Sequence, residues 1–542
     1  MKTTKLVILF ILVLFTTGLL NAQELAEAKQ FIENERYQSA EAILEKAAIS
    51  ESSESAASYL LVKTYLDQEK TSEAKKYIDE YLLPAISNSA NAMDKIAYAR
   101  YLIGTGNKAA ADEIFASLLK EKKNQKNASL LIAMAEVNID EKNGDPRMAI
   151  SWLNMAEKKD KNNSEVDVLK GLAYKKLSDA SNAFVAYRDA LKKDPQNLKA
   201  HYLIGKIFTA QKNPEVYLEH FLKAYQIDST YAPVLEEFYK YYYYRDIKEA
   251  KKYLQKYIAN SDYSVQNDYY MTDILYLNGE HVSAIQAAKG IIEKEKDKSQ
   301  PRLYKLMAYS SAKAGDSMQA IQYITDYFNK EDPVKFIAAD FELRAQLAEK
   351  VAGAKDAAIG YYTIATEMDT ALNNKVKYAI KIADMYKQTE DYSHQATWLG
   401  NLYKWKEKTN NIDLFNWGLA HYRAKEYLQT DSVFGLYTTR YPEDIYGYYW
   451  RAQASAAIDT SMTNALAIPY YNKVVEIGEK NRETHKTMLL KAYGYLGGYE
   501  ANITKDYQKS LNWFEKYQAV DKDNADVTRY VEMLKKWIAD SN

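Results

Sequence analysis

Six histidines, seventy-three Asp and Glu residues and no cysteine set the chemistry open to this 542-residue chain. The histidines are His201, His220, His281, His394, His421 and His485, and no two stand at HExxH or another metal-ligand spacing. Without cysteine there is no thiolate nucleophile and no zinc–cysteine site. GxGxxG, GxxxxGK[ST] and GxSxG are all missing, so neither a phosphate loop nor a nucleophile elbow is expected. Paired carboxylates such as Glu236-Glu237 read as a solvated helix face. The expectation is a non-enzymatic chain with no catalytic residue, no metal and no cofactor. The residue type in excess is tyrosine, at 49 copies. Seven of them fall within FYKYYYYRDIKEAKKYLQKY, Phe238–Tyr257. A phenol offers a rigid ring face and one polar tip, which suits contact with a partner.

The elements that position these residues follow from composition and pattern. Length exceeds one ordinary core and fits several domains or a long repeat array. Lys and Arg number 72, so the formal charge is −1 and no single-sign field points to nucleic acid. With 9 Pro and 19 Gly, few turns need special backbone geometry, which favours helix over sheet. Lys2 and Lys5 precede an apolar run, Leu6 to Leu20, that has the length of a signal-peptide core. Asn21-Ala22-Gln23 offers cleavage after Ala22, so residues 1–22 are expected to be removed on export. No cysteine follows to carry a lipid, and no second apolar run reaches membrane length. The expected location is the periplasm, with release outside the cell as the alternative and no membrane insertion after cleavage.

From Gln23 onward small and aromatic residues return with a period near 34. The cleanest copy runs from Ser164 to Asn197, marked by Gly171, Tyr174, Ala183, Tyr187, Ala190 and Pro195. Gly205, Phe208, Phe221 and Ala224 repeat it 34 residues on. Gly171 and Tyr174 share one helix face, and Ala183, Tyr187 and Ala190 share another. A small residue lets two helices approach, and the aromatic fills the space beside it. About fourteen such units cover nearly all of Gln23 to Asn524. The pattern resembles the tetratricopeptide repeat, a 34-residue helix–turn–helix. The resemblance implies an all-α solenoid, a right-handed superhelix whose first helices line a concave groove.

The expected organisation is an N-terminal array over 23–350, degenerate repeats with a hinge over 351–411, a second array over 412–524 and a capping helix over 525–542. Val527, Tyr530, Val531, Leu534 and Ile538 form the apolar stripe of that last helix. Counting back from Ala250 puts Phe238 and Tyr241 in the core, Tyr239, Tyr242 and Tyr243 toward the groove, and Tyr244 near the turn. The same register puts Tyr202, Tyr269, Tyr276, Tyr309, Phe415, Tyr422, Tyr449 and Trp450 on the groove. Some relatives clamp a terminal carboxylate with Lys and Asn on neighbouring first helices. The corresponding positions here read Val168 and Leu172, then Tyr202 and Lys206, so that clamp is missing. An aromatic groove suits protein or peptide partners, here expected among envelope proteins of assembly or secretion, and sugars are the alternative ligand. Asp228-Ser229-Thr230, Asp316-Ser317-Met318, Asp369-Thr370-Ala371 and Asp431-Ser432-Val433 resemble an O-glycan acceptor pattern, although Asp-Ser/Thr also suits turns and helix caps.

Overall fold

A computed structural model describes residues 23–49, 55–89 and 91–541. The expected signal peptide, 1–22, lies outside the described residues. Those described form α-helices joined by short turns, with no β-strand among them. None of their helices is long and apolar enough to cross a membrane.

The 34-residue period becomes helix pairs. Ser164–Lys176 packs on Ala180–Lys193, and Leu198–Ala210 packs on Pro214–Ile227, each element starting 34 residues after its counterpart. The starts are set by polar side chains. Asn163 accepts from the Glu165 amide, Asp179 from Asn182, Asn197 from Ala200 and Asn213 from Val216. Between the two helices of a pair one residue takes a left-handed conformation, Ser178 at φ 61° and Lys212 at φ 56°, which ends the first helix. Inside the pair Gly171 faces Tyr187, and Gly205 faces Phe221 in the same way. Ala183, Tyr187, Ala190, Ala200 and Ile204 form the shared core of the two pairs. The fold is thus a tetratricopeptide-like all-α helix-pair solenoid.

The chain divides into two compact units between Ser299 and Gln300. The first holds eight helix pairs, from the helix over 23–33 to His281–Glu295. One second helix is broken by a π-helical turn, Ile78–Leu82. The second unit holds six pairs, from Arg302–Lys313 to Tyr507–Val520, and then the single helix Ala525–Ser541. Residues 351–411 lie inside this unit, where Tyr362 and Tyr378 share a core with Ala358, Ala365 and Ile382. The last helix docks Val527, Val531 and Leu534 against Leu511 and leaves Tyr530 42% exposed. It covers the apolar edge of the final pair, as a repeat array requires.

Of the four Asp-Ser/Thr patterns, Asp316 caps the helix Ser317–Lys330 by accepting from Gln319. Asp228 and Asp369 each accept from the amide two residues on, and Asp431 binds Arg451.

Candidate interaction surfaces

In unit 1 the first helices carry charge toward one another. Lys63, on Ser55–Asp67, donates to Asp140 at 2.6 Å. Arg100, on Ala92–Gly104, is fully buried. Its guanidinium donates to Asp140 (3.1 Å), Glu141 (3.2 Å) and the Tyr59 hydroxyl (2.6 Å), and lies 4.8 Å from the Tyr59 ring centroid. Tyr59 in turn donates to Glu136 at 2.7 Å. Burial opposes ionisation of Asp140, but Lys63 and Arg100 outweigh it and hold the carboxyl well below the usual range. Glu141 and Tyr59 are pushed up by burial. This network ties three successive first helices together.

A second feature joins distant parts of unit 1. Asp262 accepts from the Gln38 amide (2.7 Å), the Ser39 amide (3.4 Å) and the Ser39 hydroxyl (2.5 Å). Its carboxylate also lies 3.8 Å from Arg36. Asn34 accepts from the Ala232 amide at 3.2 Å. The start of helix Tyr37–Ile49 is thereby clasped to a residue more than two hundred positions away. A cavity of about 550 Å³ lies at this seam, lined by Gln23, Gln30, Phe31, Asn34, Thr230 and Asn260. Facing inward, Glu35 is raised by burial and by Glu236, with Lys206 and Lys240 opposing. Asp262→Ala strands two backbone donors at the helix start, a cost of about 1–3 kcal/mol. Amide exchange over 37–49 should accelerate, and unchanged protection there would show that the clasp carries no stability.

The tyrosine run proves to be mainly packing. Tyr242 stacks on Tyr253 at 5.5 Å with 4° between planes, and Tyr253 also lies 4.8 Å from Phe238. Tyr241 sits under Arg245 and meets Tyr217 edge-on. Tyr239 is 5% exposed, wedged against Tyr243 and Tyr270. It stands 34 residues after Gly205, at the register of the close helix contact. The turn between Ala232–Tyr242 and Ile247–Ala259 is one residue shorter than in the strong copies. Counting back from Ala250 therefore shifts the first helix by one. Tyr243 and Tyr202 are half-buried, Tyr202 meeting Tyr231 edge-on at 5.6 Å. Tyr269 is buried, and Tyr276 packs against His281. Val168 is fully buried with Ala183 and Tyr187, so it is a core position and only Tyr202 and Lys206 of that set reach the surface.

Unit 2 brings its expected residues together. Trp450 lies 4.9 Å from Tyr422, 5.5 Å from Tyr449 and 6.4 Å from Phe415 between ring centroids. All four are half-buried and stand on the neighbouring first helices Asn411–Arg423 and Ile445–Ile458. A groove of about 610 Å³ adjoins them, lined by Tyr449, Tyr495, Tyr517, Thr487, Lys486 and Lys491. Tyr309 lines another groove of about 660 Å³ with Lys313, Glu342, Lys350, Lys377 and Lys381.

The histidines sit apart from these surfaces. His201 Nε2–H donates to the Pro195 carbonyl (3.2 Å), which leaves its Nδ1 to accept from His220 Nδ1–H at 3.0 Å. Burial, and then the charge of His201, brings the His220 imidazole down to about 4. The unfolded chain therefore binds more protons than the folded one between about pH 6.5 and pH 4, so stability falls as pH drops through that window. His220→Gln should flatten the decline in thermal midpoint; an unchanged profile would assign it to other groups. No cluster of three or more metal-ligating side chains occurs among the described residues.

Sequence reasoning missed Arg100, Asp140 and Asp262. Single charged residues on helices carry no mark that separates them from a solvated face, and the partner of Asp262 is too distant in sequence for any pattern.

No protein-family model and no curated protein matches the chain. Among solved structures it is similar to the C-terminal part of a TPR repeat-containing protein from Cytophaga hutchinsonii, at 26% identity over 48% of this chain and 98% of that one, with a TM-score of 0.30. A tetratricopeptide repeat protein from Parabacteroides merdae matches at 17% identity over 46% and 96%, with a TM-score of 0.28. PilF of Pseudomonas aeruginosa matches at 20% identity over 40% and 96%, with a TM-score of 0.29. Superpositions at this level add nothing to the fold assignment, which rests on the 34-residue pairing itself.

Proposed function

We propose that this chain is a non-enzymatic scaffold that holds protein partners on the first-helix face of unit 2, acting in the periplasm on envelope proteins. The observation that carries the reading is the convergence of Phe415, Tyr422, Tyr449 and Trp450 beside an open groove. Half-exposed aromatic rings held by neighbouring helices form the kind of anchor that dominates protein interfaces. Export is supported by Lys2, Lys5 and the apolar run Leu6 to Leu20. Tyr422→Ala/Tyr449→Ala should reduce capture of partner from envelope extracts of the native host by about tenfold or more. Far-UV circular dichroism should not change, because neither ring fills the pair core. Undiminished capture by this variant would remove the aromatic face from the partner site.

A further inference from the structure

Charge is divided unevenly between the two layers of unit 2. Its first helices, Arg302–Lys313 through Lys486–Tyr499, carry twelve Lys and Arg against four Asp and Glu. Its second helices, Ser317–Lys330 through Tyr507–Val520, carry seven against six. The positive excess therefore belongs to the first-helix layer.

Some of that excess is neutralised within the unit. Lys305 pairs with buried Asp340 at 2.6 Å, Arg451 with Asp431 at 2.7 Å and Lys381 with Glu349 at 3.2 Å. Lys377 binds Glu342. Lys313, Lys387, Lys486 and Lys491 have no ion-pair or hydrogen-bond partner among the described residues. Lys313 lines the groove at Tyr309, and Lys486 and Lys491 line the groove at Tyr449. Between them the same layer exposes apolar surface: Ile380 at 41%, Ile412 at 61% and Tyr446 at 43%. Unpaired cations at both ends and apolar side chains between them complement an occupant that carries both carboxylates and apolar groups.

We propose that the first-helix face of unit 2 docks an extended acidic polypeptide segment in which carboxylates alternate with apolar or aromatic side chains. The proposal deepens the scaffold reading and rests on it. The free lysines stand on three different first helices, so charge is read along a segment and not at one terminal carboxylate. Neighbouring helix axes lie about 10 Å apart, which an extended strand crosses in about three residues. Six first helices therefore accommodate about fifteen residues.

The test titrates the full chain, by fluorescence anisotropy, with labelled peptides of about fifteen residues that alternate Glu and Leu and end in an amide. Counterparts carry Gln or Lys in place of Glu. The Glu peptide should bind about tenfold or more tighter than the Gln peptide, and the Lys peptide should not bind. Affinity for the Glu peptide should fall as salt rises from about 50 to about 300 mM. Lys313→Glu/Lys387→Glu/Lys486→Glu/Lys491→Glu, all surface changes, should abolish the preference at unchanged helicity. Equal binding of the Gln and Glu peptides would overturn the acidic selectivity and leave the scaffold reading standing. Retention of the preference by the four-lysine variant would overturn this placement of the site. Failure of every peptide, with binding of the acidic polysaccharide alginate, would overturn both readings in favour of a glycan.

Discussion

Arg100→Leu should destabilise unit 1 by about 3–5 kcal/mol, the cost of leaving buried carboxylates without their cation. Arg100 is fully buried and serves Asp140, Glu141 and Tyr59 at once. Leucine removes the donors and leaves the acceptors in place. Lys63 still reaches Asp140, but Glu141 loses its only cationic neighbour at hydrogen-bond distance. Urea unfolding followed by far-UV circular dichroism measures the change. Arg100→Leu/Asp140→Asn/Glu141→Gln should recover much of the loss, because the uncompensated charges are then gone. The depressed pKa of Asp140 adds a pH test. Its stabilisation is present above the unfolded value of 3.8 and is lost as pH falls through the folded one. Wild type and Arg100→Leu should therefore converge in acid. A loss under about 1 kcal/mol at neutral pH would show that water replaces the guanidinium at low cost.

The second large effect lies at the helix contact that defines the repeat. A Cβ at Gly171 would stand 2.2 Å from Tyr187 Cε1 and 2.4 Å from its Cδ1. Tyr187 is 1% exposed and enclosed by Ala183, Ala190 and Ala200, so the ring has nowhere to go. Gly171→Ala should cost about 1–3 kcal/mol or more by overpacking, although alanine is the better helix former. Gly360 supplies the control, since a Cβ there meets nothing within 4 Å. Gly360→Ala should stabilise by about 0.5–1 kcal/mol. Opposite signs at two helical glycines separate packing from propensity; matching signs would mean that Tyr187 yields.

The same contact explains what the sequence could reveal. Gly171 and Tyr187 recur as Gly205 and Phe221, and Gly418 with Phe434 repeats the pairing, its Cβ position 2.5 Å from the Phe434 ring. A glycine and an aromatic at fixed spacing are visible because nothing else fits. The turns are harder to read. The left-handed residue is Gly at 106, 279 and 315 but Ser at 178 and Lys at 212, so its period is hidden by residue type. A turn shortened by one residue moved Tyr239 from the expected groove into the core. Repeat pattern fades over 351–411 because the core there is built differently. Tyr362 and Tyr378 reach across to Glu349 and Glu342 with their hydroxyls, where other pairs use apolar contacts alone. In unit 2 the register held at Phe415, Tyr422, Tyr449 and Trp450, where Gly418 fixes the pairing and no turn is shortened. The clasp at Asp262 depends on the path of the whole unit, which local periodicity does not encode.

The central claim is that partners bind the first-helix face of unit 2. Lysine crosslinking of the full chain in envelope extracts of the native host, followed by affinity capture and mass spectrometry, tests it most directly. The account predicts partner crosslinks at Lys313, Lys377, Lys381, Lys387, Lys486 and Lys491. Crosslinks confined to Lys330, Lys355, Lys404, Lys473, Lys509 and Lys516 on the second helices, or no captured protein at all, would contradict it.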